Sequence, residues 1–281
     1  MNIIELFEEL KIDKSNIQSF SPEEIIRIEK QINVEKRINP DIDTNAANNL
    51  VLAFKEFPQE LYFVVSNRLL FNLFSKKNYS RHQFPAPQRV YDSEKIQGFV
   101  NQFLIDDLVL FYDGYLSQNK FDTIADVFEY KDCFPEDALF QLNKKLIVKI
   151  DFLLMRLTQS VNTDQSDISY IQYRSFYDLL SFFSSIEMDD KVRSLTNIIT
   201  ERYNANRQSD FLMACISSMA GYKAYDQNLT DVLLRNRETV FANIANQESS
   251  GSSSGISART VIFIIIAIIK ILVLCSRCSS H

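Results

Sequence analysis

Catalysis or metal binding in this chain would have to be assembled from two histidines, four cysteines and the carboxylates. His281 is the last residue, and His82 stands beside Arg81 in a stretch that holds two prolines. A zinc site needs several His, Cys or carboxylate ligands at defined spacing, and no such set is in view. A Ser-His-Asp or Cys-His system would have to use His82, yet no nucleophile motif accompanies it. His82 is therefore expected to be a surface loop residue. Cys133 and Cys215 lie far apart in apolar surroundings and read as small buried thiols, which a cytoplasmic chain would keep reduced. Cys275 and Cys278 have the C-x-x-C spacing without a second ligand pair or a βαβ setting, so neither zinc nor thioredoxin chemistry is expected of them. Cysteines beside an apolar segment can also be acylated.

Asp106 and Asp107 sit in FLIDDLVLFYDGYL, the most apolar stretch before the C-terminal region. A buried carboxylate is costly and often functional. Adjacent helical residues lie about 100° apart, however, so both can share a narrow solvent face with Gln102 and Asp113. That solvent face is the expectation. A buried member of the pair would need a cation, for which Lys144, Lys145 and Lys149 are the candidates.

The segment KKNYSRHQFPAPQR concentrates cations and aromatic rings on a restrained backbone within an acidic chain. Its Lys76, Lys77, Tyr79, Arg81, His82, Phe84 and Arg89 form the candidate contact loop for an acidic or peptide partner.

Composition excludes several function classes. Two of the five glycines fall in SSGSSSG, leaving Gly98, Gly114 and Gly221 for the rest of the chain. Phosphate loops and Rossmann turns need glycine for positive φ or close backbone approach, so no cofactor is expected. All 36 Asp and Glu lie at or before Glu248, together with 27 of the 30 Lys and Arg, which gives that part a formal charge of −9. Nucleic-acid affinity comes largely from neutralising phosphates, so no nucleic-acid partner is expected. With 22 Phe, 12 Tyr and no Trp, the core should be rich in Phe, Leu and Ile.

The elements that must carry these residues read as helices almost throughout. Ser21-Pro22-Glu23-Glu24 is a capping box with proline at the first helical position, and Asn39-Pro40 ends the helix it opens. Helices are then expected at Ala46–Glu56, from Pro58 to about Lys77, and from Ser93 to about Ser117. Further ones should cover Phe121–Tyr130, Pro135 onward, Asp167–Ile186, Asp189–Tyr203, Ser209–Tyr225 and Asn228–Asn246. The fold class is all-α: about ten stacked antiparallel helices in an irregular, HEAT-like array, plus one C-terminal transmembrane helix. FYDGYLSQNKFDTIADVF and FYDLLSFFSSIEMDDKVRSL are faintly alike, but no repeat family is recognisable. The expected organisation is an N-terminal helical subdomain over 1–79, a proline-containing loop over 80–92 and a helical array over 93–246. A Ser/Gly-rich linker over 247–258, a transmembrane helix over 259–276 and a short tail over 277–281 follow.

The expectation of an anchor rests on TVIFIIIAIIKILVLC, Thr260–Cys275, with Lys270 its only charge. A span needs about 20 mostly apolar residues, and Ile256–Cys275 supplies that length. A Lys near the bilayer centre costs roughly 2.5–3.5 kcal/mol, while twelve Ile, Leu, Val and Phe return about 4–7 kcal/mol. The sum favours insertion. A surface helix of a soluble domain would carry a polar stripe at a 3.6-residue period, which this segment lacks. The N-terminus, MNIIELFEELKID, has no basic n-region, so the helical part should stay in the cytoplasm on a single-pass C-terminal anchor. Arg259 and Arg277 flank the segment and do not decide its orientation.

These features point to a membrane-anchored cytoplasmic helical scaffold or adaptor with protein partners and no evident chemistry. A subunit of an integral membrane complex that contacts its partners through Lys270 is the alternative, ahead of an enzyme built from carboxylates.

Overall fold

In the computed structural model, which describes residues 1–40, 42–77, 91–159 and 165–250, every regular element is helical. Side-chain caps set where most of these helices start. Asn2 accepts from Ile4 N and Glu5 N, and Glu5 closes the capping box at the start of α1 (Ile3–Glu9). The Ser21–Glu24 box with Pro22 opens α2 (Pro22–Ile38), as its sequence predicts. Asp43 caps α3 (Thr44–Glu56), and Pro58 begins α4 (Pro58–Ser66).

Two expected long helices are broken in the middle. The first yields α4 and α5 (Arg68–Phe74), separated by Asn67, whose side chain accepts from Leu69 N and Leu70 N. Asparagine competes with the helical backbone by bonding locally, so it caps a new helix and does not continue the old one. The second yields α6 (Ser93–Phe103) and α7 (Ile105–Ser117) around Leu104, which has φ −134° and ψ 3°. Read as one rod, 93–117 is apolar nearly all round. Divided, α6 buries Ile96, Phe99 and Val100 while α7 buries Leu108, Tyr112 and Leu116, so each helix needs only one apolar face.

The remaining helices are α8 (Phe121–Phe128), α9 (Glu136–Gln159), α10 (Gln165–Ile168), α11 (Arg174–Ser181), α12 (Ile186–Ala205), α13 (Asp210–Met219) and α14 (Gln227–Ser250). The stretch expected as one helix from Asp167 to Ile186 is α10, a 3-10 turn over Ser169–Gln172, and α11. The described residues thus hold fourteen α-helices; the excess over the sequence expectation comes largely from these breaks.

The chain forms two compact units, Met1–Arg237 and Glu238–His281. Of the second, the described residues continue α14 up to Ser250, four residues past the helix end expected at Asn246 and into the segment expected as a Ser/Gly-rich linker. In the first, one apolar cluster runs from Ile3 to Ala138 and includes Phe54, Phe74, Phe99 and Phe134. Rings contributed from both sides of residues 78–90 meet in it: Phe57 with Phe99 and Phe103 at 6.1 and 5.6 Å, and Phe63 with Tyr91 at 4.8 Å. A second aromatic group joins Phe121, Tyr170 and Phe176 at centroid distances of 5.1–5.5 Å. Helix α9 packs against α7 and α12, burying Leu142, Leu146, Ile150, Leu153 and Leu157. Tyr112 Oη donates to the Leu142 carbonyl at 3.2 Å, fixing α7 on α9.

Candidate functional site

Two of the candidate contact residues fall at the end of α5. Lys76 has φ 54°, a conformation that disfavours a β-carbon. Its amine lies 3.1 Å from Glu5 Oε2 and 3.2 Å from Asp107 Oδ1, joining α5 to α1 and α7. Burial alone would lower the Lys76 amine, but the hydrogen bonds it donates to Glu5 and Asp107 outweigh it and hold the amine above its ordinary value. Lys77 pairs with Glu8 and lies 5.5 Å from the Phe71 ring centre. Both cations are therefore engaged with the helical body at the root of the proline segment. Tyr79, Arg81, His82, Phe84 and Arg89 lie outside the described residues, as do Lys270 and residues 259–276. Among the described residues, no helix is long and apolar enough to cross a membrane.

Asp106 is exposed, whereas the Asp107 side chain is 15% exposed and held by Lys76. Of the α9 cations considered as partners for this pair, Lys145 reaches Asp113 instead, at 2.5–2.7 Å. A cleft of about 220 Å3 opens beside this group, with Asp43, Asn45, Asn49, Gln102 and Asp106 among its walls. Its walls offer carboxylate and amide groups but no imidazole or thiol. Among the described residues no group of three or more His, Cys, Asp or Glu could hold a metal ion.

Among the described residues, the most deeply buried acid lies elsewhere. Asp189, in the first turns of α12, is 2% exposed. It accepts from Tyr222 Oη at 2.6 Å, Tyr225 N at 3.2 Å and Asp226 N at 2.7 Å. Three donors converge on one carboxylate, which fastens the turn after α13 onto the start of α12. Asp226 in turn caps the next segment through Asn228 N and pairs with Arg193 at 3.3 Å. Hydrogen bonding from the Asn228 amide, with help from Arg193, holds the Asp226 carboxyl below the usual range. Burial, reinforced by the bond to Asp189, pushes the Tyr222 phenol well above its ordinary value, so it donates and stays protonated.

A cavity of about 440 Å3 opens at this turn, lined by Ile186, Asp189, Asp190, Arg193, Tyr225, Asp226 and Gln227. It holds no histidine, cysteine or lysine that could serve as nucleophile or base. No chemical motif in the sequence marks Asp189, although a signal is present. It falls on the same stripe as Val192 and Thr196, which α12 buries, so the helical period alone places it inside.

Burial shifts three further groups. Burial pushes the Cys133 thiol up to about 12 and the Cys215 thiol higher still, which suppresses the nucleophilic thiolate. Lys149 lies 4.9 Å from the Tyr170 ring centre and 5.7 Å from that of Phe121, and burial lowers its amine.

What the residues define is an all-helical protein whose buried polar side chains tie its helices together. Compared with known proteins, the chain matches no family model, no curated protein and no solved structure.

Proposed function

We propose that this protein is a non-enzymatic scaffold or adaptor, a HEAT-like helical array held at a membrane by residues 259–276, with the helical part in the cytoplasm and protein partners bound at its surface. The observation that carries the reading is the apolar run Thr260–Cys275 behind a Ser/Gly-rich spacer. The described part adds support of another kind. Its best-enclosed acid, Asp189, is fully engaged by Tyr222 and two backbone amides, and its cysteines are buried thiols. In this reading residues 1–79 and 93–246 are the helical body, and 80–92 is a recognition loop rooted by Lys76 and Lys77. The test is crosslinking of the full-length chain in its native membrane, with a chain ending at Asn246 as control. Capture of the same proteins by repeated crosslinking of the full-length chain alone is the expected result. Capture limited to small-molecule-processing enzymes would overturn it.

A second reading is favoured by one residue. Lys270 costs roughly 2.5–3.5 kcal/mol if left unpartnered near the bilayer centre, a cost that a pairing group on another membrane helix would offset. Lys270→Leu separates the two: loss of partners with membrane residence retained favours a membrane-complex subunit, and unchanged capture favours the scaffold.

A further inference from the structure

Helix α3 holds asparagine at three of its 13 positions, Asn45, Asn48 and Asn49. Asparagine is a poor helix former, because its side chain competes for the backbone. Asn45 and Asn49 line the cleft of about 220 Å3 beside Asp106, and Asn48 does not. Among the described residues, neither Asn45 nor Asn49 uses its side-chain amide in a hydrogen bond. Residues that work against their own helix and serve no internal contact are found where a fold keeps a binding surface.

A second part of the chain brings a like pair to the same cleft. Gln102 near the end of α6 and Asp106 in the first turn of α7 are again four residues apart, and their side chains have no partner among the described residues. Phe103, between them, adds an apolar surface. Of the charged side chains in the walls, Asp107 is neutralised by Lys76, whereas Asp43 and Asp106 pair with no cation among the described residues. The cleft therefore combines free amides with unneutralised carboxylates.

A side-chain amide carries the donor and the acceptor of a peptide bond, so it can accept from the N–H and donate to the C=O of one residue in an extended strand. Residues whose N–H and C=O face the same edge recur at every second position of a strand, about 6.6–6.8 Å apart. Asn45 and Asn49, four residues apart in a helix, are separated by about 6 Å along its axis, close to that repeat. The cleft, at about 220 Å3, is smaller than a pocket that encloses a small molecule, which takes about 300–1,000 Å3. A linear segment lying across it fits better. Main-chain hydrogen bonds are also how extended peptides are commonly held, with side-chain contacts giving the selectivity.

We propose that this cleft takes an extended, basic peptide segment of a partner protein. Asn45 and Asn49 bond its backbone from α3, Gln102 bonds it from α6, and a Lys or Arg of the segment meets Asp43 or Asp106. The inference names a partner class for the scaffold reading and rests on that reading.

The probe is a fluorescein-labelled alternating Ala-Lys octapeptide, followed by fluorescence anisotropy against the detergent-solubilised full-length chain at physiological ionic strength. A form N-methylated at every alanine keeps the charge and removes the N–H groups along one edge, and an Ala-Glu octapeptide reverses the charge. The variant is Asn45→Ala with Asn49→Ala, and Asn48→Ala, at an exposed position of the same helix outside the cleft, is its control. Alanine is the better helix former, so both variants keep the fold, and matching circular dichroism confirms it. The expected result is saturable binding of the Ala-Lys peptide, weakened about tenfold by N-methylation and about tenfold by the double substitution, as for the loss of two hydrogen bonds. Asn48→Ala should leave it unchanged. Equal binding of the N-methylated peptide, or equal binding by the double variant, overturns the inference, because charge alone would then hold the peptide. Equally tight binding of the Ala-Glu peptide, a matching loss in Asn48→Ala, or no saturable binding of the Ala-Lys peptide also overturns it. All of these outcomes leave the scaffold reading standing, since that reading fails only on the crosslinking result.

Discussion

Replacing Asp189 by alanine removes the common acceptor of three hydrogen bonds and leaves Tyr222 Oη, Tyr225 N and Asp226 N facing a methyl group. A hydrogen bond to a charged group contributes about 1.5–3 kcal/mol. The two amides are only part-buried and recover some of that from water, whereas the Tyr222 hydroxyl is buried and cannot. The expected loss is therefore about 3–5 kcal/mol, close to that for breaking a buried charge pair. A domain of this size has about 5–15 kcal/mol to lose, and its melting temperature should fall by about 6–20 °C. Urea unfolding followed by helical circular dichroism measures the loss directly. Tyr222→Phe alone should cost about 1–3 kcal/mol, and much less when Asp189 is already alanine, because the two groups act as one unit. An Asp189→Ala protein within about 0.5 kcal/mol of the original, the range of an ordinary surface change, would refute the claim that this carboxylate fastens the turn.

Two further outcomes are expected. Gly98 is an exposed position inside α6 where an added β-carbon meets nothing within 4 Å, so Gly98→Ala should stabilise the protein by about 0.5–1 kcal/mol; a lower urea midpoint would count against the α6 packing. The buried phenols Tyr112, Tyr177 and Tyr222 are all raised above their ordinary value of 10.0, chiefly by burial. In the unfolded chain they ionise first, so their contribution is complete below pH 10 and is lost as pH rises above it. Urea midpoints should decline on the alkaline side of pH 10, less steeply in Tyr222→Phe, and equal slopes in the two proteins would contradict the assignment.

Helix beginnings were legible in the sequence because capping is local: Ser21, Pro22 and Glu24 are neighbours, and the box they predict is present. The break at Asn67 also had a local signal, a cap-forming side chain before Leu69 and Leu70, but the continuing apolar period masked it. The break at Leu104 had none. No side chain caps α7, and the buried Leu104 is part of the core that divides the rod, so tertiary packing made that choice. The same distinction holds for the polar groups. Asp106 on a solvent face follows from helical geometry, whereas Lys76 reaching Glu5, 71 residues away, and then Asp107 cannot be read from spacing. Asp189 was readable in principle through its phase with Val192 and Thr196; its partners, contributed by the turn after α13, were not.

The claim on which the functional reading stands is that residues 259–276 cross a bilayer, and alkaline carbonate extraction of native membranes tests it most directly. The comparison is between the full-length chain and an Ile265→Asp, Ile268→Asp double variant. Each substitution moves the insertion balance by about 3–4 kcal/mol, so two exceed the whole favourable margin of the segment, about 0.5–4.5 kcal/mol. The expected result is the unsubstituted chain in the membrane pellet and the double variant in the supernatant; an unsubstituted chain released by carbonate would contradict the anchor.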